Sequence, residues 1–427
     1  MQELTAGVAV VDITPAPGLL LAGFAARTEP ALGHHDPLTV RAVSVGNTAI
    51  VVADVIGIHE EMSARIRARC PLPDANVIVA ATHTHGAPNS MTGRLGNDPD
   101  TAFLVALEDG CVAAIAQALA NAVPARLGVG MGENPDVARN RRHADGPTDP
   151  ALPVLRIRDV DGRLLALIVS HALHPTVLGA DNRLMTAEYP HFLRARIEAA
   201  HPGVVAIFLN GCTGDVNIGH SAQASVSLAA NAARSFANAQ RVGERIADVA
   251  LAAPELPMGN SVSARYVLVD LALERRETDL SALVAAWQAE AQSADPVRAA
   301  VLAHWVHWAR RNADIALDHW TGRVSLLDWG GVPIVAMPGE IFSETSLAVR
   351  AVLGGRPAFV LSYADATPGY IPPASEFPFG GYEVDEAHRF IGMPGSFAPG
   401  SAERLVKGFH ELARPIVQIG QPWRAEI

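Results

Sequence analysis

Short apolar runs punctuated by turn residues dominate the first half of the chain. Residues 6–14 (AGVAVVDIT) are rich in β-branched side chains and stop at Pro15, which predicts a strand. Two more apolar runs, residues 39–46 and 48–57, meet at Gly46-Asn47, the dipeptide of a tight hairpin. Residues 59–70 (HEEMSARIRARC) change to helical spacing, and residues 75–82 (ANVIVAAT) read as a buried strand. Helical spacing returns over 100–121. Strands follow at 126–132, 152–159 and 164–172, with a loop by composition at 144–150. A helix over 189–200 leads to a strand at 203–211 that runs into a glycine-rich turn. Residues 221–253 are alanine-rich and helical in pattern, and so are residues 278–320. The tail carries a hairpin-like pair at 324–340, a strand at 357–365 and a long Pro/Gly/aromatic loop at 366–386. Strands alternating with helices in this way predict an α/β fold of mixed sheets packed with helices.

Composition narrows the classes. The 427 residues are 49% hydrophobic and 18% charged, so the chain can bury a large core. With no repeat or low-complexity linker in view, we expect one catalytic domain over residues 1–427, with a helical insertion or lid at about 221–320. A net charge of -11 disfavours nucleic acid and anionic membrane surfaces as partners. No run of about 18 uncharged apolar residues stands out, so stable membrane insertion is not expected. The first residues lack the basic and apolar segments of a signal peptide, and the three cysteines are far apart. Both features lead us to expect a cytoplasmic protein. A homo-oligomer is compatible with the sequence, which does not specify one.

Candidate chemistry gathers at strand ends. Thr82-His83-Thr84-His85-Gly86-Ala87-Pro88 follows a predicted strand, and residues i and i+2 of an extended chain share a face. Two neutral imidazoles there suit Zn²⁺; the plain alternative is a pair of polar loop histidines. His171-Ala172-Leu173-His174-Pro175-Thr176 closes another strand and offers either a metal ligand or a packed histidine. In Asn210-Gly211-Cys212-Thr213-Gly214-Asp215-Val216-Asn217, backbone N–H groups could approach a substrate oxygen, or the segment is an ordinary strand-to-helix turn. Glu340 of Met337-Pro338-Gly339-Glu340 is either a metal ligand or a helix-dipole carboxylate. His304 and His307 read as a solvated or packed helix face, and Cys212 as a small apolar turn residue rather than a nucleophile. No nucleophile-elbow, phosphate-loop or dinucleotide fingerprint is present.

Taken together these blocks resemble the catalytic domain of the neutral (non-lysosomal) ceramidases. The resemblance covers most of the chain in scattered segments: residues 7–14, His35-Asp36-Pro37-Leu38 to Arg41, Asp54, the THTHGAP turn, Arg139-Asn140-Arg141, the HPT segment, the GDVN turn, PGE and the late tyrosine loop. It implies one zinc held by His83, His174, Glu340 and Tyr370. It implies that His85 sits beside the metal and contacts substrate or water, that Arg141 belongs to the substrate site, and that Tyr382 stabilises an oxyanion. This chain departs from the family at Asn217, where the ceramidases carry serine, and segments that grip long lipid chains have no match.

The expectation is therefore a zinc-dependent hydrolase of an amide C–N bond, acting on a small amide or N-acyl substrate rather than ceramide itself. His85 would protonate the leaving amine, and Asp54 and Asp215 would either orient ligands or serve the fold. The alternatives are a metal-dependent esterase, lactonase or cyclic-amide hydrolase on the same residues, and a non-catalytic metal- or ligand-binding homologue suggested by Asn217.

Overall fold

The structure, a computed structural model, describes residues 3–229, 231–275, 279–316 and 318–418. Met1 and Gln2, at the head of the segment read for a leader, and Thr278, where the second helical pattern begins, lie outside these residues.

Two sheets pack face to face between helices, giving four layers. The first has nine strands. Its path runs Val205–Asn210, Leu164–His171, Leu152–Asp159, Val123–Gly132, Thr5–Asp12, Thr39–Val45, Thr48–Ala53, Val77–Ala81, with Leu256–Pro257 pairing beside Val123–Gly132. The outermost pair at each edge is parallel and the interior pairs are antiparallel. Gly46 takes φ 56° at the tight hairpin turn joining Thr39–Val45 to Thr48–Ala53.

Period-2 alternation sorts this sheet's side chains between two cores. On the outer face Val51, Val79 and Ala42 meet helices α1 (Glu60–Arg69) and α2 (Thr101–Ala120). Further along the same face, Leu167, Val169 and Phe208 meet α3 (Tyr189–Ala200) and α4 (Phe236–Ala252). On the inner face Ile50, Ile78, Ile168 and Ile207 meet Leu327, Trp329, Ile334 and Phe359 of the second sheet. That sheet runs Phe359–Leu361, Val332–Ala336, His319–Trp329, Val262–Glu274, Ser396–Phe397. Its far face is closed by α7 (Ser343–Val352) and α8 (Ser401–Gln418) through Val349, Leu353, Leu405 and Phe409.

Three differences from the sequence reading matter. The stretch 221–320 is not one helical unit: α4 belongs to the outer layer, and Val262–Glu274 is a thirteen-residue strand. Among the described residues of this stretch, α5 (Leu280–Ala291) and α6 (Pro296–Asn312) leave the sandwich as a helical hairpin between antiparallel strands. Second, α2 is long and apolar enough to cross a membrane. Here it lies on the sheet by Leu107, Cys111 and Ile115, while Glu108 and Asp109 pair with Arg65 and Arg69. Third, the topology repeats although the residues do not. Each half of the first sheet runs strand, antiparallel hairpin, helix, parallel strand, helix.

Candidate active site

The THTH turn leaves Val77–Ala81 at His83, which takes φ 65°, a conformation non-glycine residues adopt only where the surroundings hold them. Here the hold is double. His83 Nδ1 donates to the Ile56 carbonyl at 2.5 Å, and the ring lies on Tyr363, centroids 3.9 Å apart and 16° from parallel. Tyr363 is fixed in turn by a 2.5 Å hydrogen bond between its hydroxyl and Thr213 Oγ1. With its proton on Nδ1, His83 presents a lone pair at Nε2.

His174 arrives from the end of Leu164–His171. Its Nδ1 points to the Thr213 carbonyl at 3.3 Å, which again frees Nε2. The two Nε2 atoms are 2.9 Å apart, and His85 Nε2 stands 3.4 Å from the first and 3.3 Å from the second. Glu340 Oε2 lies 3.4 Å from His83 Nε2 and has no hydrogen-bond donor. Burial holds both His85 and His174 well below the usual imidazole range, and the positive charge of Arg141 adds to it. These rings are therefore neutral, and their lone pairs face one another and a carboxylate. Such a donor set fits a divalent transition-metal ion: imidazole nitrogens and a carboxylate oxygen converging in a buried place, each oriented from behind.

Glu340 and Tyr370 share a two-residue parallel bridge, so the Pro-Gly turn and the late tyrosine loop are presented side by side. Gly339 (φ 77°) is required there, since a Cβ would stand 2.6 Å from the Gly369 carbonyl oxygen. Tyr370 OH accepts from Arg141 Nη2 at 2.9 Å. Burial raises the phenol well above its ordinary value, against the pull of Arg141. Arg141 also donates to Glu383 at 2.9 Å, and Arg142 donates to both Glu383 and Glu376. This four-residue ionic lattice ties the loop carrying Tyr382 to the strand Arg139–Asn140. The Tyr382 ring sits 5.8 Å from that of Tyr370.

His83, His85, Glu340, Tyr370 and Tyr382 all border one cavity of about 280 Å³. The remaining wall is mostly apolar, including Leu21, Phe24, Met91, Leu95 and Phe390, with Ala300 and His304 contributed by α6. His304 thus belongs to the cavity wall, a place its sequence context does not announce. The loop 20–28 and residues 91–97 escape the sequence reading for a related reason: neither carries a motif that points to chemistry. Two of their residues shape the site closely. Gly23 (φ 95°) leaves space for His85, whose Nδ1 would stand 2.3 Å from a Cβ. Arg27 is buried, donates to the His85 carbonyl at 2.7 Å, and is pulled down to about 9 by desolvation.

Other candidates lie elsewhere. The Asn217 side chain closes a turn, accepting from Gly219 and His220 N–H and donating to the His220 carbonyl, and it does not border the cavity. Asp54 forms a two-pronged pair with Arg194 at 2.9 Å beneath the first sheet's outer face. Asp215, raised to about 6 by burial, accepts from Ser343 and Asn140 and so braces the segments leading from Glu340 and to Arg141. His171 points to the Ala151 carbonyl, away from the cluster. Burial pushes the Cys212 thiol up, which leaves it un-ionised at neutral pH.

No family model matches the chain. Among curated proteins it is 28% identical to the neutral ceramidase of Pseudomonas aeruginosa over 213 residues, 43% of this chain and 32% of that protein. It is 29% identical to the neutral ceramidase of Drosophila melanogaster over 251 residues, 49% of this chain and 35% of that protein. The aligned part is thus about a third of either relative. Among solved structures, neutral ceramidase from Pseudomonas aeruginosa superposes with a TM-score of 0.73 at 19% identity, over 100% of this chain and 76% of that one. A ceramidase complexed with C2 gives the same TM-score over 77% of its chain. The chain carries a neutral-ceramidase-like domain.

Proposed function

We propose that this protein is a zinc-dependent amide hydrolase acting on N-acyl compounds smaller than ceramide. The observation that carries this reading is the meeting of three imidazole Nε2 atoms and the donor-free Oε2 of Glu340 at the polar end of an apolar cavity. His83, His174 and Glu340 would hold the ion, with Tyr370 beside them. When bound there, a zinc ion supplies Lewis acidity, which polarises a carbonyl and acidifies water.

The side chains account for the rest of the chemistry. The apolar wall excludes bulk water and seats the acyl chain with its carbonyl towards the histidines. Tyr382, a neutral phenol whose pKa burial raises, donates a hydrogen bond to the oxygen that gains charge as the carbonyl carbon becomes tetrahedral. Arg141 adds positive charge and keeps Tyr370 oriented. His85, neutral at rest, takes the proton that the attacking water gives up and passes it to the leaving nitrogen, which must be protonated before the C–N bond breaks. The names of the relatives point to the same bond, the amide of ceramide. A cavity of about 280 Å³ is at the small end for ligand sites, which supports one short acyl chain over a two-chain lipid.

The test combines metal analysis with turnover. Wild type should hold zinc at this site and cleave short N-acyl amides faster than matched esters. His83→Ala and His174→Ala should each remove that ion and lower turnover by about 10²-fold or more while the fold survives. Unchanged metal content in both variants, or faster turnover of esters than amides, overturns the assignment.

A further inference from the structure

We propose that His35, Asp36 and His191 form a second, structural site for a divalent transition-metal ion, separate from the active site and bracing it from behind. His35 and Asp36 follow the short strand Gly33–His34, and His191 stands in the first turn of α3. The ligand atoms of the three residues lie within 4.8 Å of one another. His35 Nδ1 is 2.8 Å from Asp36 Oδ1, and His191 Nδ1 is 3.6 Å from Asp36 Oδ2. The first contact is an ordinary hydrogen bond. The second is too long for one, so a hydrogen bond does not explain why His191 turns a ring nitrogen towards this carboxylate.

The donor set is held in position by its surroundings. The His35 ring stacks on Phe236, centroids 4.1 Å apart and 11° from parallel, and both histidines pack against Phe192. Asp36 is buried and accepts from Thr186 Oγ1 at 2.5 Å and Ala187 N at 2.8 Å. Each imidazole is about one-third exposed, which leaves water free to complete the shell. Nearby positive charge is already matched: Arg194 is paired with Asp54 and Arg41 with Glu198. Two nitrogens and one carboxylate with open positions select zinc, cobalt or nickel over magnesium or calcium.

The consequence for the active site runs through one residue. Thr186, held by Asp36, donates its backbone N–H to the Gly86 carbonyl at 2.9 Å, and its own carbonyl accepts from Thr84 Oγ1 at 2.8 Å. An ion at His35, Asp36 and His191 therefore clamps α3 and the strand Gly33–His34 to the segment that supports the THTH turn.

The experiment is equilibrium dialysis of the tag-free, chelator-stripped full chain against zinc, with cobalt(II) visible spectra as a second readout. Wild type should bind about two ions. His35→Phe, which keeps the stack on Phe236, and His191→Gln should each bind about one, and zinc should raise their melting temperature less than it raises that of wild type. Circular dichroism checks that each variant is folded before dialysis. His83→Ala should also bind about one ion, and its cobalt spectrum should be the one missing from both His35→Phe and His191→Gln. If His35→Phe and His191→Gln bind as many ions as wild type, with the same spectra, the second site is wrong. If instead His83→Ala alone leaves metal content unchanged, the active-site assignment falls and this one stands.

Discussion

Glu188 shows how one side chain can set the pH response of the region behind the site. It sits at the head of α3 with φ 65°, fully enclosed, with Oε1 accepting from Leu178 N at 3.0 Å and Oε2 without a partner. Burial raises its carboxyl from 4.5 to about 8, outweighing the backbone hydrogen bonds that oppose it. The unfolded chain releases this proton near pH 4.5, whereas the folded chain keeps it to about pH 8. The folded state therefore binds more protons between those limits, and stability from this group is complete below 4.5 and declines up to about 8. Glu188→Gln removes that decline. The variant should gain on wild type as pH rises from 5 to 8, by about 1.4 kcal/mol per pH unit at most. Urea midpoints at the two pH values measure it, and an equal difference at both would show that this carboxyl does not titrate as described.

At the scale of elements, the α5–α6 hairpin is the feature most open to engineering. It packs on itself through Trp287, Trp305 and Trp308, and α6 turns Ala300 and His304 to the cavity. Because its core is its own, a substitution on the cavity side need not disturb the sandwich. Ala300→Trp should fill the part of the cavity beside α6. Short N-acyl amides should keep their kcat/KM, while each longer homologue should lose about 10-fold or more. An equal loss for all chain lengths would mean that the acyl group does not run towards α6. Elements also differ in how far the sequence disclosed them. The strands leading to His83 and His174 were legible because their runs are buried, rich in β-branched residues and followed by chemistry. Val262–Glu274 was not, because its outer face keeps Tyr266 and Leu268 exposed, and the alternation that marks a strand is lost. The cavity wall was illegible for another reason. Leu21, Met91 and Ala300 are ordinary apolar residues whose role exists only once distant segments meet.

The whole molecule depends on how its two sheets are joined. Sequence predicted mixed sheets packed with helices without dividing the strands between two of them, and the repeated topology of the first sheet stayed hidden because it recurs as strand order rather than as residues. Most of the joint is apolar, but Asp365 adds a buried ionic tie across it. This residue (φ 60°) accepts from Arg67 of α1 at 2.7 Å, from Val79 N in the first sheet at 3.2 Å and from Ser325 Oγ in the second at 3.1 Å, with Arg323 3.5 Å away. Breaking a buried ion pair from one side costs on the order of 3–5 kcal/mol, because the remaining charge is left in a poor solvent. Both arginines keep Asp74 as a partner, so the cost should fall at the low end of that range. Asparagine tolerates positive φ and preserves shape, so Asp365→Asn isolates the charge. We expect it to lower unfolding free energy by about 3 kcal/mol. A denaturant midpoint within about 0.5 kcal/mol of wild type, the usual size of a surface substitution, would mean that apolar packing alone joins the sheets.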